Sequence, residues 1–154
     1  MVTIAAETPL QDDIRRLVGA LNDYLIPLTP REFQFQMTVE QLAEPGVTLF
    51  VARDEAGRAI GMGALKEHDG GIGEVKRMYT LPELRGQRIG KALLESIEAL
   101  ARRKGFGALV LDTGEAEGFE PAWCLYENAG FNRRGPFLGY PDSGYNRYYE
   151  KKLA

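Results

Sequence analysis

The chain has 154 residues, with 19 Lys+Arg against 22 Asp+Glu for a net charge of −3, and 44% of its residues are hydrophobic. That length fits one compact domain burying roughly 70% of its extended surface, and the weakly acidic balance without a basic tract argues against nonspecific nucleic-acid binding, while leaving local basic clusters free to hold a small polyanion. The lone Cys124 excludes an intramolecular disulfide, and with no apolar run of transmembrane length and no basic-flanked apolar start a soluble cytoplasmic protein is expected.

Residues 2–6 read as a strand. Thr8, Pro9 and Gln11 then offer an N-cap, a first-turn proline and a capping-box glutamine, so a helix is expected to run to about Tyr24. Leu10, Ile14, Leu17, Val18, Leu21 and Leu25 recur at helical spacing, and Pro27 with Pro30 closes the segment. Thr38 and Gln41 form a second possible cap ahead of Leu42, and Pro45-Gly46 is a stop. Two apolar strands at 47–53 and 58–67 are joined by Asp54-Glu55-Ala56-Gly57, and after a turn at Asp69-Gly70-Gly71 a third strand covers 73–80, ending before Pro82.

A helix follows over 89–104, with Ile89, Leu93, Leu94, Ile97, Leu100 and Ala101 on its apolar side. Arg102-Arg103-Lys104 complements the dipole at its C-terminus. A short buried strand at 108–112, a short helix at 121–128 and a closing pair of strands at 132–138 and 145–152 complete the order. The expected architecture is α/β: one domain over 1–154, an open mixed sheet that is mostly antiparallel with one strand–helix–strand crossover, and helices on both faces.

Between the third strand and its helix lies Arg85-Gly86-Gln87-Arg88-Ile89-Gly90-Lys91. A glycine-bearing turn there opens directly onto an apolar helix, whose first N–H groups lack intrahelical acceptors and carry partial positive charge; a phosphate can replace the missing partners. The same turn also serves as an ordinary strand-to-helix connection, and taken alone it does not decide. Neither Gly-x-x-x-x-Gly-Lys-Ser/Thr nor Gly-x-Gly-x-x-Gly with a downstream ribose-binding acid occurs. His68 is the single histidine, so no zinc site and no Cys-His dyad is implied, and it reads as a strand-end surface residue.

The segment from Glu74 through Leu94, with Tyr126-Glu127-Asn128-Ala129-Gly130-Phe131 downstream, resembles the GNAT superfamily of acyl-CoA-dependent N-acetyltransferases. The pyrophosphate signature of that superfamily is Arg or Gln, two residues, Gly, one residue, then Gly or Ala. Here it reads Arg85 to Gly90, with Arg88 where glycine is usual. The resemblance implies a GNAT-like fold and acetyl-CoA as acyl donor, with no metal. Its pantetheine arm would run beside the backbone of Met78 and Thr80, and the Met78 N–H would point at the thioester oxygen. The pyrophosphate would rest where Gly86 turns the chain, on the amides of Gln87, Arg88, Gly90 and Lys91, with Arg85 or Arg88 nearby.

The same resemblance puts Glu74 where several members draw the proton from the amine, directly or through water; a strand glutamate simply paired with Lys76 is the competing reading. Tyr126 stands where the family protonates the leaving thiolate, or else is a core aromatic. Cys124 reads as a packing residue, and Phe119-Glu120-Pro121 replaces an asparagine often found before the tyrosine. Tyr24, Phe33, Phe35, Phe137, Tyr140 and Tyr145 either wall the acceptor pocket or are core; Glu32, Glu117 and Glu120 either favour a cationic amine or are solvated.

The implied activity is direct acetyl transfer to a primary amine of a small molecule or peptide. A noncatalytic acyl-CoA-binding module would share the cradle, and a nucleotide-binding protein is a third reading. Acetyl-CoA and an amine acceptor are the expected partners, with homodimerisation left open and no nucleic acid or membrane called for.

Overall fold

The computed structural model describes residues 1–34 and 36–153. Its strands are β1 (Thr3–Ala6), β2 (Val47–Arg53), β3 (Ala59–His68), β4 (Ile72–Thr80), β5 (Ala108–Gly114), β6 (Asn132–Arg134) and β7 (Asn146–Lys152), and its α-helices are α1 (Asp12–Leu25), α2 (Val39–Leu42), α3 (Ile89–Arg103) and α4 (Glu120–Asn128). The strands make one sheet in the order β1-β2-β3-β4-β5-β7-β6. All pairings are antiparallel except β4 with β5, which α3 connects as the crossover.

The two faces bury separate clusters. Ile14, Leu17, Val18 and Leu21 of α1 pack with Leu42, Leu49, Val51, Met62 and Tyr79 on one face. Leu93, Leu94, Ile97 and Ala101 of α3 pack with Ile60, Leu65, Val75, Leu109, Leu111 and Tyr149 on the other. Each fully buried aliphatic side chain contributes about 1.5–3 kcal/mol, so these helical stripes hold the layers together.

Helix α1 begins at Asp12, later than the sequence suggests. Thr8 Oγ1 accepts from the Leu10 N–H at 3.2 Å, and Gln11 Nε2 donates to the Thr8 carbonyl at 2.8 Å, so these side chains close a local turn instead of capping a helix. Leu10 consequently sits outside the helix and is 52% exposed. The Thr38 and Gln41 capping box forms as expected at α2.

The last two strands do pair, but β7 inserts between β5 and β6, and β6 stops at Arg134, ahead of Gly135-Pro136, since proline has no N–H for a ladder. This insertion shapes the centre of the molecule. Strand β7 pairs with β5 along its whole length, from Ala108↔Lys152 to Gly114↔Asn146, whereas β4 pairs with β5 only at Ile72, Gly73 and Glu74. Beyond Glu74, β5 follows β7 and a gap opens beside β4.

Strand β4 is itself irregular. Its register with β3 changes between Met62↔Tyr79 and Ala64↔Lys76, so Gly63 faces both Arg77 and Met78 across a β-bulge. Arg77 takes the extra position with φ +55°, and a side chain on Gly63 would strike the Met78 sulfur at 2.3 Å.

Candidate active site

A cavity of about 840 Å³ occupies the gap between β4 and β5. Its walls include residues 75–80 of β4, residues 112–114 of β5, the turn into α3, and Ala122, Leu125 and Tyr126 of α4. The open edge of β4 supplies its backbone. Leu81 donates to the Ile60 carbonyl of β3, and strand alternation then directs the N–H groups of Met78 and Thr80 the opposite way, across the gap. A splayed pair of strands with amides turned into the space is a slot for an extended chain that pairs as a missing strand would.

The slot leads to the start of α3. Gly86 has φ +90° and open space around its α-carbon, and Arg88, the N-cap residue, has φ +63°. That left-handed cap explains why glycine is usual at this position, and the arginine holds it nonetheless. No side chain caps the helix, no acid lies in its first turn, and the first intrahelical bond is Ala92 N–H to the Arg88 carbonyl. The amides of Ile89, Gly90 and Lys91 therefore precede any intrahelical acceptor, as an anion site requires. Gly90 lies against Leu125 of α4, where a Cβ would approach to 3.3 Å.

Met78, Thr80, Arg85, Gly86, Arg88, Gly90, Lys91 and Tyr126 all line the one cavity. Gln87 and Glu74 are not among its lining residues. The Arg85 guanidinium sits over the Tyr24 ring, 5.3 Å from its centroid.

Tyr126 is 6% exposed, packed edge-on to Phe131 and tilted against Tyr149. Burial, and after it the negative charge of Asp112, pushes its phenol above the ordinary tyrosine range, so it stays protonated at neutral pH. Asp112 also lines the cavity. Burial raises its carboxyl to about 6, with Lys76 opposing the rise and Glu74 adding to it.

Glu74 is fully buried, one step before the strands part. Its carboxylate accepts from Tyr140 Oη at 2.9 Å, meets His68 Nε2 at 2.9 Å, and lies 3.3 Å from Lys76 Nζ, which is in turn 3.7 Å from Asp112 Oδ1. His68 thus turns inward from the end of β3 and covers Glu74, where the sequence suggests a surface residue. A chain of Glu74, Lys76 and Asp112 connects this buried carboxylate to the cavity.

The remaining wall comes from the α1 side. Tyr24 and Phe33 reach the cavity, and Tyr24 Oη donates to the Gly118 carbonyl beside α4. Asn146 donates to the Phe33 carbonyl at 3.0 Å and Tyr145 stacks on the Phe33 ring, so the arm following α1 is clasped to the opposite strands. Phe137 and Tyr140 instead pack with Tyr148 and Val110, away from the cavity lining. Phe35 lies outside the described residues. Glu32, Glu117 and Glu120 are absent from the cavity wall, and so is Cys124, which is exposed on the outer side of α4.

Sequence reasoning missed two residues here. Asp112 looks like the end of an apolar strand, and its signal was the single charge closing Ala108 to Leu111. Arg77 looks like one of several strand charges, and nothing in its spacing marks the bulge.

The acetyltransferase (GNAT) family profile matches residues 15–131. An IAA acetyltransferase of Azospirillum brasilense is 42% identical over 153 residues, covering 99% of this chain and 98% of that protein. A crystal structure from Klebsiella pneumoniae, assigned as an acyl-CoA N-acyltransferase, superposes with a TM-score of 0.84 at 30% identity, covering 100% of this chain and 99% of the other. The PaiA N-acetyltransferase of Thermoplasma acidophilum in complex with coenzyme A shares the fold, with a TM-score of 0.76 at 18% identity and 99% of each chain covered.

Proposed function

The chain belongs to the acetyltransferase (GNAT) family, and from that premise we propose that it transfers an acetyl group from acetyl-CoA directly to a primary amine of a small molecule or peptide. One observation carries the reading: the opened edge of β4, the uncapped start of α3, the Tyr126 phenol and the Asp112 carboxylate all border one cavity. The name of the Azospirillum relative supports acetyl as the group moved, and the coenzyme A held by the Thermoplasma protein supports the donor.

In this reading the pyrophosphate rests on the amides that open α3, between Arg88 and Lys91, and the pantetheine arm lies along β4. The Met78 N–H then meets the thioester oxygen, where a preorganised donor contributes roughly 3 kcal/mol as charge develops. An amine arrives mostly protonated and attacks only as the free base. Asp112 takes that proton, with Glu74 behind it holding Lys76 in place and adding negative charge. The amine nitrogen bonds to the thioester carbon, the tetrahedral intermediate collapses with cleavage of the C–S bond, and Tyr126 gives its proton to the departing thiolate.

The test is thiol release from acetyl-CoA across a library of primary amines, alongside calorimetric binding of acetyl-CoA. Turnover with at least one amine and saturable binding are expected. Binding without thiol release from any amine would make the chain a noncatalytic acyl-CoA-binding module, and protection by ATP or NAD in place of acetyl-CoA would point to a nucleotide site.

A further inference from the structure

Arg77 is the one described residue with a buried side-chain nitrogen or oxygen left without a partner: its Nε makes no hydrogen bond. The residue is 7% exposed, and its single side-chain hydrogen-bonding partner among the described residues is the neutral Oδ1 of Asn22 on α1. It has no carboxylate partner among the described residues. Burial alone, unopposed by any anion, pulls its guanidinium down to about 10.

Two independent costs meet at this position. A desolvated guanidinium lacking an anion is expensive, and a non-glycine residue at φ +55° is strained where glycine would not be. Strand β4 accepts both and sets Arg77 on the cavity wall beside Leu21, Tyr24 and Leu25 of α1. This is the wall opposite α3 and α4, away from the cradle, so the donor's phosphates are already provided for elsewhere.

We infer that Arg77 binds a carboxylate on the acceptor, and that the substrates are amines that carry an acid group, as amino acids do. The inference rests on the acetyl-transfer reading and names its acceptor class. With one nitrogen tied to Asn22, the planar guanidinium on the cavity wall keeps further N–H donors in a geometry that fits a carboxylate. Asp112 stands on the same cavity as the group that receives the amine's proton, so the acceptor's two charges meet opposite charges on the two strands. The glutamates that do line the cavity, Glu95 and Glu98, are paired with Lys91 and Lys151, and Glu32, Glu117 and Glu120 do not line the wall.

The experiment measures kcat/KM with acetyl-CoA for a panel of α-, β- and γ-amino acids, their methyl esters and the corresponding decarboxylated amines. Wild-type protein is compared with Arg77→Met and Arg77→Lys. Esterification changes the nucleophilicity of the amine, but it does so equally for each protein, so the acid-to-ester ratio is compared between proteins. Wild type should favour at least one free acid; Arg77→Met should lower the acid-to-ester ratio roughly 10- to 100-fold, the worth of a charged hydrogen-bonded contact, with Arg77→Lys intermediate. The KM for acetyl-CoA should stay within about twofold. A raised Tm for Arg77→Met would accompany this, since the change removes an unpaired charge, and it keeps the variant testable as a folded protein.

Turnover of esters or plain amines with no acid preference in wild type overturns the inference, and so does an acid preference that Arg77→Met leaves intact. Absence of thiol release with every amine would instead overturn the acetyl-transfer reading, so the two failures are distinguishable.

Discussion

In the proposed reading the cavity divides into a donor half and an acceptor half, and the two are built from different materials. The donor half is mostly backbone drawn from one continuous stretch: the outward amides of Met78 and Thr80, the turn at Gly86, the left-handed Arg88 and the uncapped start of α3. The acceptor half is mostly side chains from distant places, with Tyr24 from α1, Phe33 from the following turn, Arg77 from the β4 bulge, Asp112 from β5 and Asn146 from the start of β7. A backbone-built half tolerates many side chains and so keeps one donor, whereas a half built from side chains changes its preference with single substitutions. In the proposed reaction the chemistry falls at the seam, where Tyr126 and Asp112 line the cavity.

Removing a group at that seam should have the largest effect. Tyr126→Phe deletes one oxygen while leaving the ring against Phe131 and Tyr149, so stability should change little. Loss of an acid to the thiolate should lower kcat about 10²- to 10⁴-fold with the KM for acetyl-CoA within a few-fold. Steady-state kinetics at saturating acetyl-CoA check this. Unchanged kcat would hand the acid's role to solvent and reduce Tyr126 to packing.

Asp112→Asn should come next, and it separates activity from stability by sign. With its carboxyl raised to about 6, the wild-type rate should climb with pH through that value and then level off; the variant should lose roughly 10²-fold and show no such limb. Stability runs the other way. The folded state holds this proton more tightly than the unfolded chain, so the contribution of Asp112 is fully present below 3.8 and is lost as pH rises through about 6. Asparagine never ionises, so its stability advantage should grow between pH 3.8 and about 6 and be complete above it, with an upper limit of roughly 3 kcal/mol, the opposing effect of Lys76 already included. Denaturation scans at pH 4 and 8 measure it. A variant less stable at pH 8 would mean that the Lys76 contact outweighs the burial of charge.

The same contrast explains what the sequence revealed. Strands β2 and β4, helix α3 and the glycine turn before it were legible because periodicity, a stop at Pro82 and a glycine turn are local properties of backbone. The insertion of β7 beside β5 was not, since it depends on which distant edge is left unpaired, yet that insertion opens the cavity. Glu74 was visible as a strand acid, but the enclosure by His68, Lys76 and Tyr140 needs three elements brought together. Arg77 was hidden by the bulge: in a regular strand Val75 and Tyr79 would share a face, and one extra residue sends them to opposite clusters.

The donor half should respond more weakly, and through KM. At Gly86, φ is +90° with nothing within 4 Å of an added Cβ, so Gly86→Ala introduces backbone strain without a clash. About 1 kcal/mol of stability should be lost, and the KM for acetyl-CoA should rise several-fold as the turn relaxes from its cradle shape. The acid-to-ester ratio should not move. If it did, the two halves would not be independent.

Arg88→Gly should give the smallest change, because its two consequences oppose each other. Glycine adopts φ +63° without the penalty that arginine bears, which should raise stability by up to about 1 kcal/mol. The exposed guanidinium beside the helix start is lost, however, and with it part of the attraction for a diphosphate, which salt screens. The expected result is a higher Tm together with a KM for acetyl-CoA raised two- to fivefold at low salt and nearly unchanged at 0.5 M salt, with kcat constant throughout. A large KM effect that persists at high salt would mean that the side chain makes a close bidentate contact and that the donor half, too, depends on a specific residue.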